Sequence, residues 1–214
     1  MSKTIDDKLR EGRTYRDMEV RIADEGEERY IVEGYATTFN QPYRLGRKGD
    51  IEVFEQVDRS AFEATDMDDV IMQYDHQGRV FARKSNGTLE LTADDHGLKI
   101  RADLGGTQIG RQLYEEIKGG YTNKMSFGFT VDQHKITRSE TEDGAKSALR
   151  TISAISKLYD VSAVSLPANN ATEISARADS EGVIAEVLEE IEIEERQRAE
   201  REKLLLNIKL LTEV

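Results

Sequence analysis

Gly120-Tyr-Thr-Asn-Lys-Met-Ser-Phe-Gly-Phe129 is the stretch around which the rest of the chain can be organised. From Met125 to Val131, large apolar residues alternate with small ones, which is typical of a β-strand with one face in the core. The large residues, which we expect to face the core, are Met125, Phe127, Phe129 and Val131. The small residues, which we expect on the other face, are Ser126, Gly128 and Thr130. The small face leaves space for a peptide backbone beside the Ser126 hydroxyl.

The length and composition indicate one domain with an appendage. The chain has 214 residues, 37% of them hydrophobic and 34% charged, which describes a soluble protein with a substantial core. The sequence contains no run of about 18 apolar residues, so it predicts no membrane span. The first residues lack the apolar centre of a signal peptide. The absence of cysteine excludes disulfides, thiolate metal sites and a cysteine nucleophile, and it fits a reducing cytoplasm.

Charge and histidine content exclude further classes of function. The formal net charge of −12 argues against a nucleic-acid surface, which needs clustered lysine and arginine. The three histidines, His76, His96 and His134, form no His-x-x-x-His pair, so no metal or other cofactor is expected. Gly105-Gly-Thr-Gln-Ile-Gly110 has the glycine spacing of a phosphate-binding loop, but the Lys-Ser/Thr that should follow is absent, so we interpret it as an ordinary loop.

The periodicity predicts an α+β protein with a mainly antiparallel β core and short helices. Residues 1–15 are expected to be a flexible N-terminus, and Glu55 to Asp66 a short helix. The strand after it would carry Val70, Met72, Tyr74 and His76 on one face. The other predicted elements are hairpins at 18–34 and 87–104, a helix at 110–118 closed by Gly119-Gly120, and strands at 121–136 and 150–166.

The residues after about 178 have a different composition. Glutamate dominates there, and apolar residues recur near helical spacing, which predicts a long amphipathic helix with a possible break at 194–203. The apolar positions are Ile184, Leu188, Ile191, Leu204, Ile208 and Leu211. Such a helix either packs on the core or docks on a partner as a coiled-coil segment; disorder is a third alternative.

Three strand-like segments together carry a hydroxyl, an imidazole and an acid, which are the parts of an acyl-transfer site. The hydroxyl belongs to Ser126, the imidazole to His76 and the acid to Asp160. Competing partners are disfavoured: Asp75 would face away from His76, and Asp132 and His134 would lie roughly 20 and 26 Å from Ser126 along one straight strand. His96 fits a turn. The Gly-x-Ser-x-Gly elbow of α/β-hydrolases is absent, and from the pattern alone structural roles for the serine and histidine remain open.

The order of these pieces resembles the tailed-bacteriophage prohead maturation proteases, whose fold is related to herpesvirus assemblin. The resemblance covers about residues 34–178, and relatives often have glutamate where this chain has Asp160. The shorter aspartate must then lie closer to the imidazole. The matching stretches are Gly34-Tyr-Ala-Thr-Thr-Phe39, Phe54 to Phe62, Tyr74-Asp-His-Gln-Gly-Arg-Val80, Gly87 to Leu98, Met125-Ser-Phe-Gly-Phe129 and Asp160 to Ala171.

The resemblance implies a serine endopeptidase that cleaves the scaffolding part of the phage major capsid protein, and itself, during capsid assembly. It implies Ser126 as the nucleophile, His76 as the general base, Asp160 as the orienting acid, and an assemblin-like barrel. The protease domain would span 16–178, and 179–214 would be a helical acidic tail that docks, self-associates or is autoprocessed. The enzyme would act in the host cytoplasm, inside the assembling prohead, on the capsid protein and without nucleic-acid or membrane partners.

Two other functions fit parts of the sequence. A non-catalytic internal scaffold would explain the helical tail, but it gives no reason for Ser126, His76 and Asp160 to match one motif. A hydrolase of small esters would need a closed apolar pocket, which nothing in the sequence suggests.

Overall fold

The computed structural model describes residues 14–22, 30–142, 144–165 and 175–212, which form ten strands and two α-helices. Two short 3₁₀ helices span Arg59–Phe62 and Lys84–Asn86. The helices are α1 (Gln108–Lys118) and α2 (Ser175–Thr212). The strands are β1 (Thr14–Ile22), β2 (Ile31–Thr38), β3 (Tyr43–Lys48), β4 (Ile51–Val57), β5 (Ile71–Tyr74), β6 (Gln77–Arg83), β7 (Leu89–Ala93), β8 (Gly97–Asp103), β9 (Lys124–Glu140) and β10 (Lys146–Val164).

All ten strands form one sheet, in which β10 is the central element. The strand order is β3-β4-β10-β9-β1-β2-β8-β7, and β5 pairs with β10 and β6. One edge of β10 pairs with β9 along its length, while the other edge pairs first with β4 and then with β5, both in parallel. The end of β10 therefore lies between the strand that carries Ser126 and the strand that leads to His76.

The predicted α+β class is confirmed, while no closed barrel is found in the part of the chain that the structure describes. The path of paired strands ends at β7 on one side and β3 on the other. An isolated bridge between Phe39, just after β2, and Val57, at the end of β4, connects two points of this path without extending into a paired strand. Strands β9 and β10, 17 and 19 residues long, reach from the main core to the part of the sheet formed by β4 and β3. The relation to assemblin stays a prediction.

The main core follows the alternation in β9. Met125, Phe127 and Phe129 are fully buried, and the two phenylalanine rings stack with centroids 4.4 Å apart. Helix α1 covers this core with Leu113, Tyr114 and Ile117. It begins at Thr107, whose hydroxyl accepts from the Gly110 N–H, and it is followed by Gly120 at φ 74°, as the Gly119-Gly120 pair predicts.

A second core lies between α2 and the part of the sheet formed by β3, β4, the end of β9 and the start of β10. The sheet contributes Val53 and Ala148, and the helix contributes Val183, Ile184, Val187 and Ile191. Helix α2 is continuous through 194–203, where the sequence allowed a break. Beyond the second core, the side chains whose burial is described are exposed from residue 192 to 205 and at 208, and Leu204, Leu205 and Ile208 are 61%, 55% and 49% accessible. No described helix combines the length and apolar character that crossing a bilayer requires.

Three local predictions need correction or fall wholly or partly outside the described residues. The short helix expected at 55–66 is instead the end of β4 followed by the 3₁₀ turn Arg59–Phe62. Val53, Glu55 and Val57 are buried on alternate positions, so the period there is that of a strand. Of the N-terminus predicted to be flexible, residues 1–13 lie outside the described range and 14–15 belong to β1. The end of the matching stretch, 166–171, is also outside it.

Candidate active site

His76 lies in a tight turn, not on a strand as the sequence predicted. Strand β5 ends at Tyr74, which pairs with Gln77, so Asp75 and His76 are the two central residues of a hairpin. Their φ angles are 48° and 56°, in the left-handed region. Two-residue hairpin turns with positive φ at both positions match the twist of the strands and usually contain asparagine or glycine. Each non-glycine residue held there costs about 1 kcal/mol or more, and such strain is often found at functional sites.

The His76 ring contacts Asp160. Its Nδ1 lies 2.6 Å from Oδ1 of Asp160, and the two side chains are 13% and 3% exposed. The Ser162 hydroxyl donates to the same oxygen at 2.8 Å. Because an ionised carboxylate only accepts, the Nδ1 atom carries the proton, and in the neutral ring Nε2 is then the basic atom. The aspartate, though shorter than the glutamate of relatives, reaches the imidazole directly.

Asp160 faces away from the core because β10 contains an irregularity. Leu158 and Val161 are both in the main core although they are three residues apart. The pairing of β10 with β9 shifts register between Leu158 and Asp160, which is a β-bulge, and the alternation starts again after it. Asp160 and Ser162 consequently share the face opposite to Val161.

Ser126 shares that face on the neighbouring strand. Its Cα pairs with that of Ser162, and Asp160 pairs with Gly128. Directly opposed side chains in an antiparallel pair have Cβ atoms about 4.5–5.5 Å apart. Ser126 is buried, 2% exposed. The structure thus brings the three predicted residues to one patch, with His76 and Asp160 in contact and Ser126 one strand from Ser162.

Two polar residues of this region were not predicted as site residues. Ser162 could have been found from its spacing, since Asp160-Val-Ser162 puts both polar residues on one face. Asp75 was set aside because neighbouring strand residues point to opposite sides. In the turn its carboxylate instead accepts from the backbone N–H and the hydroxyl of Ser165, at 2.9 and 2.8 Å. Tyr74-Asp-His-Gln77 lacks the glycine that usually marks a two-residue turn, and the tolerance of aspartate and histidine for positive φ is its only signal.

The other two histidines lie elsewhere. His96 is in the turn between β7 and β8, where its ring and the Tyr35 ring pack edge to face with their centroids 4.5 Å apart. In the same turn, hydrogen bonds from the Gly97 N–H and the Tyr35 hydroxyl lower the pKa of Asp94. His134 lies towards the distal end of β9 and contacts α2 through Glu190 at 3.1 Å. His96 is thus a turn residue, as the sequence indicates.

One group among the described residues has the composition of a metal site. Ligand atoms of His134, Glu186 and Glu190 lie within 4.8 Å of one another. However, Nη2 of Arg150 lies 3.4 Å from His134 Nδ1 and 3.6 Å from Glu186. A guanidinium only donates hydrogen bonds, so Nδ1 of His134 is the acceptor. The ring proton is then on Nε2, which donates a hydrogen bond to the Glu190 carboxylate. This tautomer has no lone pair at Nε2 for a cation, and we interpret the group as a polar contact that holds α2 on the sheet.

An open cavity of about 530 Å³ lies between the β5–β6 hairpin and α1. Its lining includes Tyr74, Phe81 and Leu113, all of which belong to or pack against the main core. Tyr74 pairs with Ala163, a core residue of β10, so the cavity begins on the core side of the sheet. Ser126 faces the other side, and we give the cavity no part in the chemistry.

Comparison with known proteins identifies a family for this chain. The family model of the caudovirus prohead serine proteases matches residues 16–185, which include β1 to β10 from Arg16 onward and the start of α2. Neither the curated proteins nor the solved structures contain a significant match. Because the family model matches most of the chain, including the strands and the turn that carry Ser126, Asp160 and His76, the protein belongs to the caudovirus prohead serine protease family.

Proposed function

We propose that this protein is a prohead endopeptidase in which Ser126 is the nucleophile, His76 the general base and Asp160 the acid that orients the ring. The observation that supports the proposal most directly is the 2.6 Å contact between Nδ1 of His76 and Oδ1 of Asp160. It lies on the sheet face that also carries Ser126. A carboxylate on Nδ1 leaves Nε2 as the proton acceptor, which is the tautomer that activation of a serine requires.

The reaction follows from these positions. Nε2 of His76 takes the proton of the Ser126 hydroxyl while Oγ attacks the carbonyl carbon of the scissile peptide. The tetrahedral intermediate collapses, His76 returns the proton to the leaving amine, and an acyl ester remains on Ser126. Water, deprotonated by the same nitrogen, then attacks the ester carbonyl, and His76 returns that proton to Oγ of Ser126 as the acyl–oxygen bond breaks and the carboxylic acid product leaves. Asp160 stays ionised and stabilises the imidazolium in both steps. Gly128, two residues after Ser126, presents no side chain to the substrate backbone.

The substrate proposed from the family is the scaffolding portion of the major capsid protein, together with the protease itself, inside the assembling prohead. The structure adds a candidate means of delivery. The second half of α2 exposes Leu204, Leu205 and Ile208 beyond the second core. We propose that this exposed end contacts the scaffolding segment and brings the enzyme into the shell, while the first half of the helix stays on the sheet.

The test is intact mass over time for the purified wild-type chain and for Ser126→Ala. We expect the wild type to shorten at defined sites and the alanine variant to stay whole. Ser139→Ala is the matched control, because Ser139 is an exposed serine on the same strand, bonded only to Ser147 by its hydroxyl among the contacts described. It should shorten at the wild-type rate.

Two other results are informative. If both chains stay whole, capsid protein is added as substrate, and cleavage by the wild type alone supports the proposal. Equal shortening of wild type and Ser126→Ala would overturn the assignment of the nucleophile. Labelling with a fluorophosphonate gives an independent check, since only an activated serine reacts, and the adduct should map to Ser126.

A further inference from the structure

The turn that carries His76 is attached to β10 by the residue before it. The carboxylate of Asp75 accepts from the backbone N–H of Ser165 at 2.9 Å and from its hydroxyl at 2.8 Å. The backbone N–H of Asp75 donates to the carbonyl of Ala163 at 2.9 Å. One hydrogen bond therefore connects Asp75 to β10, the strand that also carries Asp160, and two connect it to Ser165, the residue directly after β10.

The attachment matters because the turn lies at the end of a short strand and holds two residues at positive φ. Strand β5 has only four residues, and its pairing with β10 ends at Ala163. Both turn residues have positive φ, 48° and 56°, without being glycine. That conformation is disfavoured for residues with a Cβ, so it persists only where the surroundings enforce it. A turn released from β10 would relax, and the His76 ring would move with it.

We propose that Asp75 is a positioning residue for His76. Its carboxylate holds the β5–β6 turn against the end of β10, so that Nδ1 of His76 meets Asp160. The two consecutive turn residues are held at two separate points: Asp75 at Ser165, directly after β10, and His76 at Asp160 of β10. This inference rests on the proposed catalytic role of His76, because a misplaced ring matters for activity only if His76 is the base.

Three substitutions distinguish the effect of losing the Asp75–Ser165 hydrogen bonds from the effect of backbone strain in the turn. Asp75→Gly removes the carboxylate, but glycine adopts positive φ without penalty, so the turn conformation remains accessible. Asp75→Asn retains an oxygen for the Ser165 N–H and an amide that can donate to the Ser165 hydroxyl, and asparagine tolerates the left-handed region. Ser165→Ala removes only the hydroxyl contact and keeps the N–H. We expect the largest effect from glycine, a smaller one from Ser165→Ala, and almost none from asparagine.

The first measurement is steady-state cleavage of capsid-protein substrate by the full-length chain. A misplaced general base lowers kcat and leaves KM nearly unchanged, and displacements of about 1 Å cost up to roughly 100-fold. We expect Asp75→Gly to lower kcat between about tenfold and 100-fold. Asp75→Asn should stay within about threefold of wild type, as a rescue by the conservative side chain. Melting temperatures of all variants check that each one is folded.

The second measurement does not depend on catalysis. The Nδ1–H of His76, held by Asp160, should give a low-field proton NMR signal, assigned by its loss in His76→Gln. We expect this signal in wild type and Asp75→Asn and not in folded Asp75→Gly. Wild-type kcat and an unchanged signal in folded Asp75→Gly would overturn the inference. If the wild type is not labelled at Ser126, the proposed function fails, but the NMR signal still decides whether Asp75 positions the ring.

Discussion

At the scale of single residues, the orientation of the His76 ring depends most directly on Asp160. Its Oδ1 accepts from His76 and from Ser162, and the side chain is almost completely buried. In Asp160→Asn the amide loses the charge that stabilises imidazolium, and its NH₂ group can donate to Nδ1 and leave the proton on Nε2. We expect kcat to fall by about 10³–10⁴-fold, with a small change in KM, in cleavage assays.

Asp132→Asn is the matched control for this substitution. Asp132 is an exposed aspartate on β9, and the same chemical change there should leave kcat at the wild-type value. Undiminished turnover of Asp160→Asn would remove Asp160 from the catalytic group. If Asp160→Asn lowers the melting temperature so far that part of the protein is unfolded in the assay, and that unfolded fraction accounts for the lower kcat, then Asp160 acts mainly through folding.

At the scale of elements, the sequence predicts the strands and their buried faces where the alternation is regular. In β9, Met125, Phe127 and Phe129 face the core as expected, and Ser126 faces the other side. The pattern is not predictive where the backbone is irregular. The bulge before Asp160 changes which residues of β10 face the core, and the turn at His76 has two positive φ angles without the glycine that usually marks such a turn. Both irregularities are enforced by contacts between distant segments, which a periodicity in sequence does not record.

A buried ion pair between the neighbouring strands β10 and β4 has an effect on stability that can be measured. Nη1 of Arg150 lies 3.1 Å from Glu55, and the two side chains are 3% and 0% exposed. Along β10, Arg150 lies between Ala148 of the second core and Ile152 of the main core. Arg150→Met would leave the buried carboxylate without its guanidinium, which we expect to lower the free energy of unfolding by about 3–5 kcal/mol in chemical denaturation.

The double variant Glu55→Leu/Arg150→Met is the informative comparison for that pair. Removing both charges avoids an uncompensated buried carboxylate, so the double variant should be more stable than Arg150→Met alone. A double variant less stable than either single variant would show that the pair itself, and not the penalty of one uncompensated charge, stabilises the junction of the two cores.

At the scale of the whole molecule, α2 has two parts with different surroundings. Residues from Val183 to Ile191 complete the second core, and Arg138 of β9 extends the contact by ion pairs with Glu194 and Glu195. Beyond Glu195 the helix continues with exposed charged residues and then the exposed leucines. The sequence predicted one amphipathic helix and left open whether it packs on the core or docks on a partner. The structure shows core packing for the first part, and docking remains a proposal for the second.

Two truncations distinguish these parts. A chain ending at residue 178 loses all four helix residues of the second core and uncovers Val53 and Ala148. Burial of each aliphatic side chain contributes about 1.5–3 kcal/mol, so we expect a clearly lower melting temperature and aggregation. A chain ending at Glu195 keeps these contacts and the ion pairs of Arg138, and it should melt and cleave peptide substrate like the full-length chain.

If the exposed end of α2 binds the scaffolding segment, the chain ending at Glu195 should no longer be incorporated into proheads assembled with it. Normal incorporation, measured by mass spectrometry of purified particles, would show that delivery depends on another surface.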